Sequence, residues 1–386
     1  MPGPFVLEPV CFRAFCFRAY APQYASWPGG QNLLPLFPMP YLETVTDLSP
    51  ENLARYDAII DVRSPAEFVD DHMPGAISLP VLSNDERAKV GTIYKQESPF
   101  RANRIGGAIV ARNIAHHLET ALADKPKSWR PLVYCWRGGM RSNAMATILS
   151  SVGWPTGVVK GGYKTWRREV VTGLDCDEPL LPVHLIDGQT GTGKTALLHA
   201  LAAQGGQVID LEGLANHRGS AFGDMGDGTQ PAQRLFETEI WDQLRRMDLS
   251  KPVFVEAESA LVGQRRVPRR LWRSMLAAPR IEMHMSLDVR ADFLVRTYAD
   301  IIAEAPRLAA AIGKLKGIQS KETIEAWLAL AGQGDFRELA RQLMQQHYDP
   351  LYARSRKRRE DTPETVIEMS GTGEADFKAA AAQLLA

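Results

Sequence analysis

Short runs of consecutive apolar residues alternate along the chain with longer segments of helical periodicity. The apolar runs occupy residues 58–62, 131–134, 157–160, 183–187, 207–210 and 252–256. The helical patterns cover residues 106–123, 143–152, 195–203, 291–315, 322–331 and 335–345. Continuous apolar runs are typical of strands buried on both faces of a parallel sheet. The alternation of such runs with helices therefore predicts an α/β protein with parallel sheets.

The chain has room for two ordinary domains, since it is 386 residues long. An acidic segment that ends in a proline, residues 175–179, is the predicted linker. We therefore predict an α/β domain over residues 39–175 and a second over residues 176–386, whose C-terminal part is helical. Residues 1–38 are aromatic, rich in proline and almost without acids, and we predict an unstructured N-terminal extension.

Composition narrows the class of protein without identifying it. The 45 basic and 45 acidic side chains cancel, so a nucleic-acid partner has to be argued from local patches. The four cysteines fit no zinc pattern, so we expect no bound metal. They also form no disulfide framework, so we expect the protein to reside in the reducing cytoplasm. No run approaches the roughly 18 uncharged apolar residues of a membrane helix. We expect no membrane partner.

A cysteine lies between a buried strand and a helix, at Cys135 in the segment Tyr-Cys-Trp-Arg-Gly-Gly-Met-Arg-Ser. A loop in that position turns backbone N–H groups toward one centre and holds an anion. The same field, with Arg137 and Arg141 nearby, favours a thiolate. We predict Cys135, Arg137 and Arg141 as catalytic residues. A thiolate in this setting either attacks a phosphate ester or carries a sulfur or selenium atom.

The second domain opens with a phosphate-binding motif, because residues 188–195 fit G-x-x-x-x-G-K-[ST] between a predicted strand and a predicted helix. The predicted phosphate-binding residues are Gly188, Gly191, Gly193, Lys194 and Thr195. Thr195 would hold Mg²⁺ if a metal is used. The apolar strand at 252–256 ends in glutamate where an ATPase usually has aspartate. We therefore expect the loop to bind a diphosphate without an ATPase cycle.

Two further groups of polar residues are candidates for binding. Residues near predicted strand ends are candidates for substrate contact: Asp210, His217, Arg218, Glu256 and Glu258. Basic stretches flanked by aromatic residues are candidates for contact with RNA phosphates: Arg265, Arg266, Arg269, Arg270, Arg356, Lys357 and Arg358. The competing interpretations are caps, salt bridges and solvated surfaces.

The first domain resembles the rhodanese family. The matching text is Ile-Asp-Val-Arg at 60–63, His-Met-Pro-Gly-Ala-Ile at 72–77, the cysteine loop, and Gly-Gly-Tyr at 161–163 before Trp166. The resemblance implies that Cys135 carries a persulfide or its selenium counterpart. The loop from Cys135 to Arg141 is longer than in common small rhodaneses and is similar to that of rhodanese-fold phosphatases. Such a loop suits a phosphate-like anion, including selenophosphate.

Three more strings extend the resemblance to most of the chain: residues 210–223, Glu-Ala-Glu-Ser at 256–259, and His-Tyr-Asp-Pro-Leu-Tyr at 347–352. Together with the rhodanese-like domain and a P-loop NTPase-like α/β domain, they resemble tRNA 2-selenouridine synthases. The resemblance implies a transferase that geranylates 2-thiouridine at the tRNA wobble position from geranyl diphosphate. Selenium from selenophosphate then replaces the geranylthio group. It also implies a supplier of selenophosphate and no tightly bound cofactor.

Two other functions fit the same motifs. One is a rhodanese-fold phosphatase or sulfurtransferase fused to a nucleotide-binding P-loop module, which would act through Cys135 without selenium. The other is a nucleotide-switched binding module with an inactive rhodanese domain. Tight binding of ATP or GTP without tRNA modification would favour the second.

Overall fold

In the computed structural model, the described residues are 42–177, 179–219, 222, 229–357 and 365–386, without the side chains of 355–357. The first α/β unit contains the strands β1 (Leu42–Val45), β2 (Ala58–Asp61), β3 (Ala76–Ser78), β4 (Pro131–Tyr134) and β5 (Thr156–Val159). Its helices are α1 (Pro50–Leu53), α2 (Pro65–Asp70), α3 (Asn84–Gln96), α4 (Pro99–Glu119), α5 (Met140–Val152) and α6 (Tyr163–Leu174). The predicted extension, residues 1–38, lies outside the described residues.

The second α/β unit has a larger set of elements. Its strands are β6 (Val183–Gly188), β7 (Gln207–Ile209), β8 (Val253–Glu256), β9 (Leu261–Val262), β10 (Arg265–Arg266), β11 (Arg280–His284) and β12 (Thr365–Glu368). Its helices are α7 (Lys194–Ala203), α8 (Leu211–Leu214), α9 (Gln233–Leu244), α10 (Arg269–Ala277), α11 (Leu287–Thr297), α12 (Ala299–Ile302), α13 (Ala305–Gly313), α14 (Lys321–Gln333), α15 (Phe336–Leu343), α16 (Asp349–Lys357) and α17 (Glu374–Leu385). A π-helical segment, Met344–Tyr348, joins α15 to α16.

Each unit is built on a parallel five-stranded sheet. The strand order is β1-β5-β4-β2-β3 in the first and β12-β11-β6-β8-β7 in the second, while β9 and β10 form a separate antiparallel pair. The cysteine loop follows β4 and the phosphate loop follows β6, and each of these strands is the central one of its sheet. Ligands of open α/β sheets bind beyond the carboxyl ends of such strands. The predicted α/β fold class is confirmed.

A buried ion pair connects β2 to the start of α6. Arg63 donates to both carboxylate oxygens of Asp61, at 3.0 and 2.6 Å, and to the carbonyl oxygen of Asp71. The Arg63 guanidinium lies 4.0 Å from the ring centre of Tyr163, whose hydroxyl donates to Asp71 at 2.6 Å. The Asp-Val-Arg string at 61–63 therefore contacts the Gly-Gly-Tyr segment at 161–163 and holds the start of α6 in place.

The two sheet units share one continuous apolar core. Helix α6 packs against α9, with Trp166 fully buried and its indole N–H 3.4 Å from the Thr238 hydroxyl. The Arg245 guanidinium covers the Trp166 ring at 4.6 Å. A side chain at Gly173 would overlap the Trp241 ring, at 2.2 Å. This close contact fixes the cysteine-bearing unit against the unit that carries the phosphate loop.

The periodicity analysis missed several elements. It passed over β11 because Arg280 and Glu282 look like surface residues, although both are buried within this strand. Residues 291–315, predicted as one helical stretch, form parts of α11, α12 and α13, with breaks at Tyr298 and Glu304. Among the described helices, none is both long enough and apolar enough to cross a membrane.

Candidate functional site

The Cys135 thiol lies in a cup of hydrogen-bond donors at the start of α5. It is 3% exposed, and its sulfur accepts from the backbone N–H of Gly139 at 3.3 Å and lies 3.2 Å from the Ser142 hydroxyl. Burial alone would raise the pKa of Cys135. Hydrogen bonds from the Ser142 side chain and from the backbone N–H groups of Ser142, Arg137 and Gly139 outweigh burial and lower that pKa below its ordinary value.

Two backbone turns hold this cup together. The N–H groups of Tyr163 and Lys164 donate to the carbonyl oxygens of Cys135 and Trp136, at 2.8 and 3.1 Å. Gly162 has a positive φ of 60°, and a Cβ there would lie 2.2 Å from the Cys135 carbonyl oxygen. Only glycine fits this contact without displacing the cysteine loop.

The two arginines predicted as catalytic are placed differently. Arg141 is half-buried and forms an ion pair with Glu67 at 3.1 Å. Glu67 also binds Arg87, at 2.8 Å, and accepts from the Ser64 N–H. Arg137 is exposed and lines an open cavity beside the loop. Hydrogen bonds, rather than the two guanidinium charges, thus favour the thiolate, and a catalytic role for either arginine stays a prediction.

The phosphate loop has the strand-loop-helix geometry that its motif predicts. It connects β6 to α7, and the Lys194 ammonium donates to the Gly188 carbonyl oxygen at 3.2 Å. Gly191 and Gly193 have positive φ values, of 87° and 74°, which place successive N–H groups around one centre. The loop thus has the geometry of a phosphate cradle, and phosphate binding by Gly188, Gly191, Gly193, Lys194 and Thr195 stays a prediction.

Three glutamates lie at the Thr195 side of the loop: Glu256, which is buried, and Glu212 and Glu258, which are half-buried. The Thr195 hydroxyl lies 3.0 Å from Glu212 and 3.4 Å from Glu256, and Glu256 also accepts from the Glu212 N–H at 2.7 Å. Burial, followed by the charge of Glu258, raises the pKa of Glu212 to about 7. Burial and the charge of Glu212 raise the pKa of Glu256 well above its ordinary value. The pKa values of these neighbouring carboxyl groups are thus all raised in the same direction.

Of the other substrate candidates, Asp210, Arg218 and His217 each have a partner within the protein. Asp210 caps α8 by accepting from the Gly213 N–H and also binds His199, at 2.8 Å. Arg218 binds Asp300 at 3.2 Å. His217 accepts from the Gly219 N–H at 3.1 Å. Asp210, Arg218 and Glu258 line the phosphate-loop cavity together with Lys194 and Thr195. The structure brings these predicted residues to one place.

An apolar cavity, which the sequence analysis did not predict, adjoins the phosphate loop. It is bounded by α11, α12, α13, α15 and the π-helical segment, and its lining is Thr190, Phe222, Leu294, Val295, Tyr298, Ile301, Ile302, Leu308, Phe336, Leu339, Ala340, Leu343, Met344 and Tyr348. Four of these residues, Thr190, Leu294, Tyr298 and Tyr348, also line the phosphate-loop cavity. The two cavities are therefore contiguous. Thr190, Phe222 and Tyr348 belong to motifs that the sequence analysis singled out, but nothing in the sequence indicated that they line one cavity.

The predicted RNA-binding residues do not form one free surface. Arg270 is buried and donates to the carbonyl oxygens of Pro179 and Gly173, so it holds the linker. Arg269 binds the carboxylate of Asp177 at 2.8 Å. Arg265 and Arg266 form strand β10, where Arg266 is exposed. Arg358 and the side chains of Arg356 and Lys357 lie outside the described residues.

Within the described part of the chain, no group of three or more His, Cys, Asp and Glu side chains is arranged to hold a metal ion. Mg²⁺ takes oxygen ligands and commonly shares one or two carboxylates with substrate phosphates. The oxygens of Thr195 and Glu256 fit that mode.

The fold and the two loops define a rhodanese-like domain joined to a P-loop domain. The rhodanese-like domain model matches residues 46–169, and the model of the tRNA 2-selenouridine synthase AAA domain matches residues 181–330. The chain belongs to the tRNA 2-selenouridine synthase family. The predictions of this family and of an enzyme are confirmed.

Two relatives illustrate the match. The tRNA 2-selenouridine synthase of Hahella chejuensis is 33% identical over 333 residues, 76% of this chain and 84% of that one. The enzyme of the same name from Nitrosomonas europaea is 33% identical over 327 residues, 83% of this chain and 81% of that one. A solved rhodanese-related protein from Thermoplasma volcanium covers 31% of this chain and 83% of its own, with 21% identity and a TM-score of 0.20.

Proposed function

We propose that this protein geranylates 2-thiouridine at the tRNA wobble position and then exchanges the geranylthio group for selenium. The observation that carries the proposal is the continuity of the phosphate-loop cavity with the apolar cavity through Thr190, Leu294, Tyr298 and Tyr348. A phosphate cradle beside an apolar cavity matches a ligand with a diphosphate at one end and a hydrocarbon chain at the other. Geranyl diphosphate has this form, whereas a nucleotide would need a polar edge for its base.

In the first step, the diphosphate binds the N–H groups of residues 188–195 and the Lys194 ammonium. These groups stabilise the negative charge that develops as the carbon–oxygen bond to diphosphate breaks and the thiouridine sulfur takes the geranyl group. The geranyl hydrocarbon chain lies in the apolar cavity, where its burial supplies binding free energy of about 25 cal/mol per Å².

In the second step, the selenium of selenophosphate attacks C2 of the base, the carbon–sulfur bond breaks and geranylthiol leaves, which it does more readily than an unmodified thiocarbonyl would. Water then cleaves the selenium–phosphorus bond and phosphate is released. Cys135 delivers the selenium donor to the base without changing the oxidation state of selenium. The cup around its sulfur supports this role, because the N–H and O–H groups that lower the thiol pKa are also suited to donate hydrogen bonds to a phosphate-like anion.

Three further expectations complete the proposal. When Mg²⁺ is bound, Thr195 and Glu256 would hold it beside the diphosphate. The metal ion would then neutralise part of the negative charge of the diphosphate. An enzyme that makes selenophosphate supplies the second co-substrate. The reaction takes place in the cytoplasm, whose reducing conditions keep Cys135 as a thiol.

The decisive experiment measures transfer of labelled geranyl groups to a tRNA that carries 2-thiouridine. Lys194→Ala removes the cation of the cradle and should abolish transfer. Ala340→Phe fills the apolar cavity and should raise the KM for geranyl diphosphate roughly tenfold or more. The shorter dimethylallyl diphosphate should be affected much less. The matched control is Ala326→Phe, at an exposed position of α14.

Two outcomes would contradict the proposal. One is geranyl transfer by Lys194→Ala at the wild-type rate. The other is a phosphatase profile, with Cys135-dependent release of phosphate from aryl phosphates and no modified tRNA. If Ala340→Phe raised the KM for geranyl diphosphate and for dimethylallyl diphosphate equally, the geranyl chain would lie outside this cavity.

A further inference from the structure

Four cations surround the open cavity beside the cysteine loop. They are Arg137 in the loop, Lys160 after β5, and Lys164 and Arg168 on α6, and all four are exposed. The cavity lining is completed by Thr46, Gly161 and Thr165, so it contains no carboxylate. We call these four cations the α6 basic surface.

The α6 basic surface has unneutralised charge. Among the described side chains, none of its four cations takes part in an ion pair, whereas Arg269 and Arg273 share Asp177. Arg167, adjacent to Arg168 in the sequence, binds Glu237 and so faces the other unit. The charge of the surface is thus available to a ligand.

Helix dipoles add to this positive potential. The first turns of α5 and α6 contain no acidic residue, and Lys164 lies in the first turn of α6. A cation near a helix N-terminus is unfavourable for the helix, by a few tenths of a kcal/mol to about 1 kcal/mol. This arrangement favours an anion over the surface rather than the stability of the free protein.

The surface is rigidly connected to the thiol. The N–H of Lys164 donates to the Trp136 carbonyl oxygen at 3.1 Å, and the Thr165 hydroxyl donates to the Lys160 carbonyl oxygen at 2.8 Å. These bonds fix the backbone that carries Lys160 and Lys164 in relation to the loop of Cys135.

We infer that the α6 basic surface binds backbone phosphates of the RNA substrate and brings the modified base to Cys135. This inference rests on the proposed function. Lys164 and Arg168 are one turn apart, which is about 6 Å along the helix axis. The four exposed cations together carry more positive charge than a single small oxyanion would neutralise, whereas successive phosphates of one strand supply matching negative charge.

The test measures binding of a fluorescein-labelled tRNA that carries 2-thiouridine, over a series of salt concentrations. The variant Lys164→Ala with Arg168→Ala removes two cations outside the cysteine loop. We expect affinity to fall roughly 10- to 30-fold at about 0.1 M salt. The slope of log affinity against log salt should become shallower by about 1.4 to 1.8. A charge-reversal variant, Lys164→Glu with Arg168→Glu, should lower affinity further.

The control variant is Lys89→Ala with Lys95→Ala, which removes two exposed cations from α3 in the same unit. It should bind tRNA as the wild type does. A wild-type salt slope in the α6 variant, with normal thermal unfolding, would overturn the inference and leave the proposed function standing. Wild-type protein that neither binds nor modifies tRNA would instead overturn the proposed function.

Two other results would also overturn the inference about the α6 basic surface. A variant with normal tRNA affinity but a raised KM for selenophosphate would indicate a small-anion site. Normal activity with purified reagents, combined with lost selenation in cells, would indicate an acidic protein partner.

Discussion

Arg290 binds Asp349 through two parallel hydrogen bonds of 2.9 Å, and its guanidinium also donates to the carbonyl oxygen of Thr190 at 3.1 Å. Asp349 belongs to the His-Tyr-Asp-Pro string, and Thr190 is part of the phosphate loop. The pair therefore joins the helical part of the chain to the phosphate cradle, at the boundary where the polar and apolar cavities meet.

Asp349→Asn should destabilise the protein and weaken its binding of geranyl diphosphate. The Arg290 side chain is 5% exposed, so the substitution leaves a buried cation with a neutral partner. Loss of one member of such a pair costs about 3 kcal/mol. Urea unfolding measures the stability, and the KM for geranyl diphosphate measures the site. Asp292→Asn, which removes the exposed partner of Arg337, is the control and should leave both unchanged.

Cys135→Ser should abolish selenation and leave geranylation intact. The hydroxyl of serine stays protonated near neutral pH, so it cannot take the place of the thiolate in delivering selenium. Mass spectrometry of tRNA nucleosides, from cells that lack the protein and are complemented with each variant, should show loss of 2-selenouridine and accumulation of the geranylated nucleoside. Cys176→Ser is the matched control, because Cys176 is a free cysteine outside the cup. Full selenation by the Cys135 variant in a purified reaction would refute this role.

Ser142→Ala should raise the pKa of Cys135, because the Ser142 side chain makes the largest contribution that opposes burial. A smaller fraction of the thiol would then be ionised at neutral pH. The rate of alkylation by iodoacetamide, measured against pH, should have its midpoint at a higher pH than in the wild type. Ser151→Ala, on the exposed side of the same region, should leave the midpoint in place. An unchanged midpoint in Ser142→Ala would show that other donors set the thiol pKa.

Local sequence was sufficient to locate both loops, since a buried strand, glycines and a helix start occur together within about ten residues. The apolar cavity could not be found in this way. Leu294 and Leu339 are 45 positions apart and meet only after α11 packs against α15. For the same reason the sequence analysis predicted that Arg270 contacts RNA, although its side chain is buried and its partners are carbonyl oxygens in and next to the distant linker. Charge runs showed where cations are in the chain, but not which of them are already neutralised.

The half-buried carboxyl of Glu212 should make the protein less stable as pH rises toward neutrality. Burial, and then the charge of Glu258, raise its pKa to about 7 in the folded state, while the unfolded chain has the ordinary glutamate value of about 4.3. Between these two values the folded state holds a proton that the unfolded state has released. The stabilisation is therefore fully present below the unfolded pKa and is lost as pH rises through about 7.

Glu212→Gln removes this titration, so its stability should decline less than that of the wild type between about pH 5 and pH 8. Some decline should remain, because the pKa of Glu256 is raised in the same direction. The measurement is the free energy of unfolding in urea at several pH values, with Glu119→Gln, an exposed position on α4, as the control. Parallel curves for the wild type and Glu212→Gln would mean that this carboxyl is already ionised in the folded protein at acidic pH, contrary to the effects of burial and of the Glu258 charge on its pKa.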